Sequence, residues 1–185
     1  RFKFRESIFK KMNQTDKIDI VYTWVNGNDQ AWVNKKEKLI NKKYKLLKNK
    51  EINSKGRFFN NDELKYSLRS IEKYAKWINN IYIVTDNQIP EWLNIENPKI
   101  KIIDHTQIFD KSNLPCFNSN IIGARLHHIK DLADNFLYLN DDIFLGRPTK
   151  KNDFFHSNKK PKIFVGKKIK LRYVCTLLNL LYIIV

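Results

Sequence analysis

Four short apolar runs alternate with longer amphipathic stretches along this chain. The runs are rich in β-branched and aromatic residues, and Asp or Asn residues close each of them: 18–25 (IDIVYTWV), 81–86 (IYIVTD), 99–104 (KIKIID) and 136–142 (FLYLNDD). Apolar runs of this length between turn residues are typical of strands that are buried on both faces. The pattern therefore predicts four core strands.

Three of the intervening stretches have helical character. Residues 30–50 mix a few apolar residues with many lysines, which is more typical of the solvated face of an amphipathic helix than of a membrane-surface helix. Asn60, with Glu63 three residues later, predicts a capping box that opens a second helix. Each helix is expected to turn an apolar face inward: Leu64, Leu68, Ile71, Ala75 and Ile78 in the second, and Ile122, Leu126, Ile129 and Leu132 in a third over 120–134.

Interleaved strands and helices predict an α/β fold, with a mostly parallel sheet flanked by helices on both faces. We expect a polar lead-in over 1–17, the α/β domain over 18–160 and an atypical basic and apolar tail over 161–185. The last 13 residues, 173–185, are nearly all apolar, but a bilayer span needs roughly 20. A buried segment, the stump of a longer segment and a shifted reading frame all stay open for this tail.

The excess of positive charge in the composition favours anionic partners but does not say which kind. The 35 Lys and Arg residues against 19 Asp and Glu give a net charge of +16, which favours nucleic acid, acidic lipid headgroups or phosphorylated small molecules. Genomic base bias would also raise the lysine count. No P-loop, G-x-G-x-x-G, zinc-finger or RNA-binding signature is present. The two cysteines, Cys116 and Cys175, do not make a disulfide framework, so a reducing compartment is the simpler expectation.

Candidate chemistry gathers where the predicted strands end. Ligands of open α/β sheets bind beyond the carboxyl ends of the strands. A single Asp or Asn in such a place is usually a turn residue, but polar ends on all four strands favour a site. These ends are Asn26, Gly27 and Asp29 after the first strand, Thr85, Asp86 and Asn87, then Asp104 and His105, and finally Asn140, Asp141 and Asp142.

Two adjacent aspartates, Asp141 and Asp142, follow the last strand directly. Their carboxylates repel each other unless a cation or hydrogen-bond donors neutralise them. Oxygen ligands suit Mg²⁺ or Mn²⁺, and Mg²⁺ is usually shared between one or two carboxylates and substrate phosphates. The pair therefore predicts a divalent-cation site for a diphosphate, with a solvated turn as an equally weighted alternative.

Other polar residues carry weaker signals. His105 can act as a base or bind phosphate, although a lone histidine is more often satisfied by local partners. Arg69, within the second helix, can reach a phosphate or pair with a neighbouring carboxylate. His127 and His128 lie in the third predicted helix, where at least one is expected to be structural, and Trp24 is expected in the core.

The stretch DIVYTWVNGND (19–29) resembles the first signature block of the Stealth family, which contains bacterial capsular polysaccharide phosphotransferases and an animal N-acetylglucosamine-1-phosphotransferase. A second block from 57 to about 155 is also similar. It includes 61–94, 97–105 (NPKIKIIDH), 114–119 (LPCFNS), 136–148 (FLYLNDDIFLGRP) and 153–155 (DFF). Long, ordered matches of this kind are specific, and they cover well over half of the chain. The short spacer between the blocks is more similar to the bacterial enzymes.

The resemblance implies a nucleotide-sugar-binding domain that transfers a hexose or N-acetylhexosamine 1-phosphate from a UDP-sugar to a polysaccharide or glycan hydroxyl. It also implies Mg²⁺ or Mn²⁺ as cofactor, no nucleic-acid partner, and a cytoplasmic location with peripheral association at the inner face of the plasma membrane. Carried over by position, Asp141 and Asp142 are catalytic and metal-binding. The substrate-binding candidates are Asn26, Gly27, Asp29, Arg69, Asn118, Ser119, His127 and Asn140.

The chain departs from the family pattern in three ways. Gly123 stands where the family usually has a glutamate, His128 stands where an arginine is usual, and two later blocks are absent. We therefore expect the front part of a longer enzyme, inactive or nearly so in isolation, so UMP release from a UDP-sugar by the purified chain would contradict this. A GT-A-like glycosyltransferase and a non-catalytic anion- or nucleic-acid-binding module remain as alternatives.

Overall fold

A computed structural model describes residues 17–43 and 60–163. Within them, four strands form one sheet in which all neighbours are parallel, in the order β3-β2-β1-β4: β1 (Ile18–Thr23), β2 (Ile81–Thr85), β3 (Ile100–Asp104) and β4 (Asn135–Asn140). The helices are α1 (Gln30–Lys43), α2 (Glu63–Tyr74), α3 (Ser119–Gly123) and α4 (Lys151–Phe154). The predicted α/β fold with a parallel sheet is confirmed.

The strand order creates a crevice beside the central strand β1. The chain passes from β1 to β2 and β3 on one side, and then returns to place β4 on the other side of β1. At the carboxyl ends of these strands, Thr23 is paired with Asn140, which directly precedes Asp141. In open parallel sheets, the point where the strand order reverses is where ligands bind. The topology therefore delivers the two aspartates to this place.

Each face of the sheet carries its own apolar cluster. Ile20 and Tyr22 of β1 pack on one face with Leu64 and Ile71 of α2. Val21, between them in sequence, packs on the other face with residues of the 116–129 segment and the neighbouring strands: Tyr82, Val84, Ile103, Cys116, Ile122, Leu126, Ile129 and Tyr138. Successive strand residues point to opposite faces, so a strand covered on both sides needs an unbroken apolar sequence.

One carboxylate, that of Asp19, is fully buried in β1 and joins three segments of the chain. Its Oδ1 accepts hydrogen bonds from Asn79 Nδ2 (2.7 Å) and from the backbone N–H of Asn80 (2.9 Å). Its Oδ2 accepts from the backbone N–H of Ala133 (2.8 Å). The segments that lead into β2 and β4 are thus held to β1, and every donor is satisfied as buried polar groups require.

The helix predicted over 120–134 is wrong. The chain forms the short α3, then a 3-10 turn at Leu126–His128, and it leaves helical geometry at Ile129 (φ −64°, ψ 119°). Asp131 then adopts a left-handed conformation (φ 63°), which a right-handed helix does not accommodate. Ile122, Leu126 and Ile129 are nevertheless buried. The apolar spacing therefore predicted correctly which residues point inward, but not that they lie on one continuous helix.

The capping box at Asn60 is also wrong, because α2 begins at Glu63 and the residue at its N-cap is Asp62. Asn60 Oδ1 accepts from the backbone N–H of Asp62, and Glu63 Oε2 accepts from that of Asn61. Both side chains therefore hold the turn that precedes the helix. The predicted helix over 30–50 is observed through Lys43, and residues 44–50, the lead-in to residue 16 and the tail from residue 164 lie outside the described residues.

No helix in the described part of the chain is both long and apolar enough to cross a bilayer.

Candidate functional site

A cavity of about 290 Å³ opens at the carboxyl ends of β1 and β4. This volume is at the small end of the range for small-molecule sites, roughly 300–1,000 Å³. Its walls come from the strand ends, α1 and the 116–122 segment: Thr23, Trp24, Val25, Trp32, Val84, His105, Cys116, Phe117, Ser119, Ile122, Asn140, Asp141 and Asp142. The aspartates follow β4 at one edge of the sheet and His105 follows β3 at the other, and most of the remaining wall is aromatic or aliphatic.

The acidic side is formed by the end of β4. Burial raises the pKa of Asp141 to about 6, and the negative charges of Asp142 and Glu63 act in the same direction. Among the described residues, no lysine or arginine forms an ion pair with Asp141 or Asp142. Within residues 17–43 and 60–163, negative charge is therefore gathered at one point of the cavity without an ion pair to a lysine or arginine.

This donor set suits Mg²⁺ or Mn²⁺ better than a structural metal. Asp141 and Asp142 offer carboxylate oxygens, and Asn140 beside them offers an amide oxygen. Within residues 17–43 and 60–163, no group of three or more His, Cys, Asp or Glu side chains is placed to hold a metal. Two carboxylates are sufficient where substrate phosphates and water complete the coordination of Mg²⁺.

Two serines of α2 hold the loop that follows the aspartates. Ser67 Oγ donates to the backbone oxygen of Ile143 (2.5 Å) and lies 2.7 Å from the hydroxyl of Tyr22. Ser70 Oγ accepts from the backbone N–H of Leu145 (2.9 Å). Burial raises the pKa of Tyr22 to about 12, so its hydroxyl stays protonated and can donate to Ser67. The position of Asp141 thus depends on contacts between β1, α2 and this loop.

Replacing Ser67 with alanine should lower the free energy of unfolding by about 1–3 kcal/mol, because the Tyr22 hydroxyl and the Ile143 carbonyl lose a buried partner. Urea unfolding followed by tryptophan fluorescence measures this. Ser70→Ala, at a less buried position, removes the bonds of Ser70 Oγ to the Leu145 N–H and to the Ser67 carbonyl; it is the comparison variant and should have a smaller effect. Equal stability of Ser67→Ala and the unaltered chain would contradict the tether.

The turn predicted to shape the nucleotide end lies outside the cavity wall. The buried side chain of Gln88 accepts from the backbone N–H of Asn26 (2.8 Å) and donates to the Asn26 carbonyl (3.1 Å) and to Asp29 Oδ2 (2.9 Å). Asp29 Oδ1 accepts from the backbone N–H of Ala31 at the start of α1 (2.8 Å). Asn26 and Asp29 therefore fix the start of α1, which carries Trp32 to the cavity, and Gly27 between them does not line the cavity.

The other predicted residues are divided between the cavity and the surface. Ser119 lines the cavity, whereas Asn118 caps α3 by accepting from the backbone N–H of Asn120 (2.9 Å). Arg69 is exposed on α2, with its guanidinium 5.6 Å from the Tyr66 ring centroid. His127 is exposed beside His128, and neither lines the cavity. The structure therefore brings together Ser119, Asn140, Asp141 and Asp142 from the predicted set.

Several cavity residues carried little or no signal in the sequence. Trp24 is buried as predicted for a core residue, but it also lines the cavity. Trp32 and Phe117 meet edge to face, with ring centroids 5.3 Å apart, although they come from distant parts of the chain. Only the position of His105, directly after β3, pointed to a place at this edge of the sheet. These aromatic walls form only when distant segments of the chain pack together, so no local sequence pattern predicts them.

Gly123 has room for a Cβ atom. A Cβ at this position would lie 3.4 Å from Tyr138 Cε1 and 3.7 Å from the Tyr138 hydroxyl, which is ordinary van der Waals contact. That hydroxyl is hydrogen-bonded to Thr23 Oγ1 (3.0 Å), a residue of the cavity wall. The position at which the family pattern has a glutamate therefore adjoins residues of the site.

The raised pKa of Asp141 predicts a specific pH dependence of stability in the absence of divalent cations. Between about pH 4 and 6 the folded chain holds this proton and the unfolded chain does not, so this group stabilises the fold as pH falls and the contribution is lost as pH rises through 6. The difference in unfolding free energy between the unaltered chain and Asp141→Asn should therefore move in favour of the unaltered chain on acidification. Urea titrations in EDTA measure it, and a pH-independent difference would contradict the assignment.

Two protein-family models match this chain, over the segments that contain the four strands and the cavity residues. Residues 16–44 match the model for Stealth protein CR1, conserved region 1, and residues 57–163 match that for Stealth protein CR2, conserved region 2. An exopolysaccharide phosphotransferase of Streptomyces coelicolor is 47% identical over 80% of this chain and 24% of its own length. Capsular polysaccharide phosphotransferases of Haemophilus influenzae and Neisseria meningitidis are 45% and 42% identical over 85% and 82% of this chain. The chain spans 43% and 41% of the length of those two relatives.

Proposed function

This chain belongs to the Stealth family, and from that membership and the geometry of the cavity we propose that it forms the donor-binding part of a sugar-1-phosphate transferase. The donor is a UDP-sugar, and the acceptor is a hydroxyl of a capsular or extracellular polysaccharide. The names of the similar bacterial phosphotransferases support transfer of a phosphate-containing group. The proposal goes further than these names in two details, namely that the transferred group is a sugar-1-phosphate and that the nucleotide of the donor is uridine.

One observation carries the proposal: the double aspartate lies at the crevice between β1 and β4, on the wall of a cavity. A diphosphate placed there without a cation would be repelled by the two carboxylates. With Mg²⁺ or Mn²⁺ bound, the same carboxylates hold the ion that neutralises the diphosphate and the charge on the leaving nucleotide. Asp141 and Asp142 would therefore hold the cation and, through it, orient the donor phosphates.

The chain's own groups would then position the donor for attack by the acceptor hydroxyl on the sugar-linked phosphorus. Positioning supplies much of the catalysis in phosphoryl transfer. The tethers from Ser67 and Ser70 fix the loop after the aspartates, and the pairing of Thr23 with Asn140 fixes the strand before them. The apolar walls around Trp24 and Phe117 exclude water from the other half of the donor.

Calorimetry with UDP-N-acetylglucosamine, with and without Mg²⁺, tests the proposal. We expect binding that requires the cation, because the acidic side of the cavity otherwise repels the diphosphate. Absence of binding in Mg²⁺ would overturn the proposal. A non-catalytic anion-binding module would instead bind without Mg²⁺ and weaken steeply with salt, in proportion to the phosphates contacted.

A GT-A-like glycosyltransferase also uses acidic residues after a strand, and the products separate the two enzymes. Transfer of a sugar-1-phosphate releases UMP and leaves a phosphodiester in the acceptor, whereas transfer of the sugar alone releases UDP. We expect little or no turnover by the isolated chain, so UMP release would contradict only that expectation. Release of UDP with formation of a glycoside would overturn the sugar-1-phosphate assignment.

We also propose that the protein works in the cytoplasm at the inner face of the plasma membrane. Exposed lysines of α1, such as Lys38, offer positive charge that attracts acidic lipid headgroups. The same charge excess would attract the anionic donor over longer distances, and nucleic acid is not an expected partner.

A further inference from the structure

A buried histidine lies on the wall of the cavity away from the aspartates. The His105 side chain directly follows β3, is 2% exposed and lines the cavity. Its Nδ1 is buried and has no hydrogen-bond partner among the described residues. Because Nδ1 has almost no accessible surface, a ligand in the cavity would meet the ring at another atom. The unpaired Nδ1 instead bears on which protonation state the ring adopts, since leaving such a group unpaired costs about 1–3 kcal/mol.

The charges behind His105 determine which of its ring nitrogens carries the proton. Asp86 Oδ1 lies 3.9 Å from His105 Nδ1, and Lys35 Nζ lies 2.5 Å from the same carboxylate oxygen. A distance of 3.9 Å is too long for a hydrogen bond, but the negative charge still favours a proton on Nδ1. Burial lowers the pKa of His105, against the opposing charges of Asp86 and Asp104, so the ring is neutral at pH 7. Nε2 is then a hydrogen-bond acceptor.

The cavity walls that His105 shares suit a flat, partly apolar ring. Trp24, Trp32 and Phe117 contribute aromatic surface, and Val84 and Ile122 contribute aliphatic surface. Nucleobases bind to such walls by stacking and by hydrogen bonds along one edge. The acidic residues lie on the other side of the same cavity, so a nucleoside diphosphate can place its base at the His105 side and its phosphates at the aspartates.

We propose that the His105 side of the cavity binds the uracil ring of the donor, with His105 Nε2 accepting the N3–H of the base, and that the Lys35–Asp86–His105 array selects uridine over cytidine nucleotides. The inference rests on the proposed function, since it names the part of the UDP-sugar that this wall binds. Uracil has a donor at N3, whereas cytosine has an acceptor there, which a neutral acceptor on His105 would oppose. Sites built around a hydrogen bond discriminate strongly against analogues that lack it.

Calorimetry in Mg²⁺ with UDP, CDP, N3-methyl-UDP and 2′-deoxy-UDP tests this assignment. We expect the unaltered chain to bind UDP at least about tenfold more tightly than CDP or N3-methyl-UDP, which corresponds to the loss of one buried hydrogen bond. The 2′-deoxy compound should bind nearly as well as UDP. Equal affinities for UDP, CDP and N3-methyl-UDP would overturn the base assignment, and weak binding of the deoxy compound alone would assign His105 to the ribose.

Variants separate the role of His105 from a purely structural one. His105→Phe keeps an aromatic ring and should reduce the preference for UDP over CDP to about twofold or less, and Asp86→Asn should reduce it in part because the charge that fixes the tautomer is lost. His156→Phe, at an exposed histidine that does not line the cavity, is the matched control and should leave the preference intact. An unchanged preference in a folded His105→Phe would contradict the proposal.

The ligand series on the unaltered chain decides the question even where His105→Phe does not fold. Mg²⁺-dependent binding of UDP and CDP with equal affinity would remove the base assignment and leave the proposed function standing. No Mg²⁺-dependent binding of any of these nucleotides would overturn both.

Discussion

Asp141→Asn and Asp142→Asn should each abolish most of the Mg²⁺-dependent binding of a UDP-sugar. Outer-shell groups that merely support a metal ligand cost about 10–100-fold in metal affinity when they are removed, so loss of a direct carboxylate ligand should cost at least about 100-fold. An asparagine keeps the shape of the side chain but brings no charge to hold the cation against the diphosphate. Calorimetry of nucleotide binding at one fixed Mg²⁺ concentration, below saturation of the unaltered chain, measures the loss.

Stability provides the control that separates a lost ligand from a lost fold. At neutral pH, Asp141→Asn should be at least as stable as the unaltered chain, because it removes a partly buried charge that Asp142 and Glu63 repel. Asp134→Asn, at an exposed position next to the amino end of β4, should change neither binding nor stability. Full Mg²⁺-dependent binding by both Asp141→Asn and Asp142→Asn would remove the metal site and, with it, the basis of the proposed function.

The largest loss of stability is expected for Asp19→Ala, by about 3–5 kcal/mol. The change leaves three donors without an acceptor inside the protein, on Asn79, Asn80 and Ala133, and each such group costs about 1–3 kcal/mol. A domain is stable by only about 5–15 kcal/mol, so this one side chain accounts for a large share. Urea unfolding followed by circular dichroism measures the change.

Asp110→Asn is the matched control, because Asp110 is exposed and its side chain forms no capping hydrogen bond. The loss of stability for Asp19→Asn should lie between those for Asp19→Ala and Asp110→Asn. Its amide oxygen can still accept a hydrogen bond, whereas its amide nitrogen faces a backbone donor. A loss below about 1 kcal/mol for Asp19→Ala would show that water replaces the carboxylate at this place and that the three segments are not held through it.

The fold was largely predictable because the central strands β1 and β2 are buried on both faces. Covered strands need nearly continuous apolar runs, and such runs are visible in a single sequence, as in IYIVT of β2 and, apart from Asp19, in IDIVYT of β1. Helix continuity was less predictable, because the same apolar spacing that marks a helix also marks a segment that packs inward through turns. Asp131 breaks the expected third helix with a left-handed backbone that no periodicity reveals.

The candidate site was predictable only where it depends on strand ends. Asp141 and Asp142 were found because they directly follow a core strand, and the topology then places them at the crevice. The same reasoning selected Asn26 and Asp29, whose polar groups are used by Gln88 to hold a turn. Trp32 and Phe117 meet across the cavity only after α1 and the 116–122 segment have packed, so their role has no local signature.

The register between β1 and β4 also bears on how the protein folds. The hydroxyls of Thr23 and Tyr138 meet across this pair although they lie 115 residues apart in the chain. Closing so long a loop carries an entropic cost, and pairings of high sequence separation form slowly. A nucleotide that contacts both strand ends can therefore bind only after this late step, and by mass action it then slows the reopening of β4. A supply of the nucleotide-sugar donor would in this way keep the newly made chain from losing β4 again once its sheet is complete.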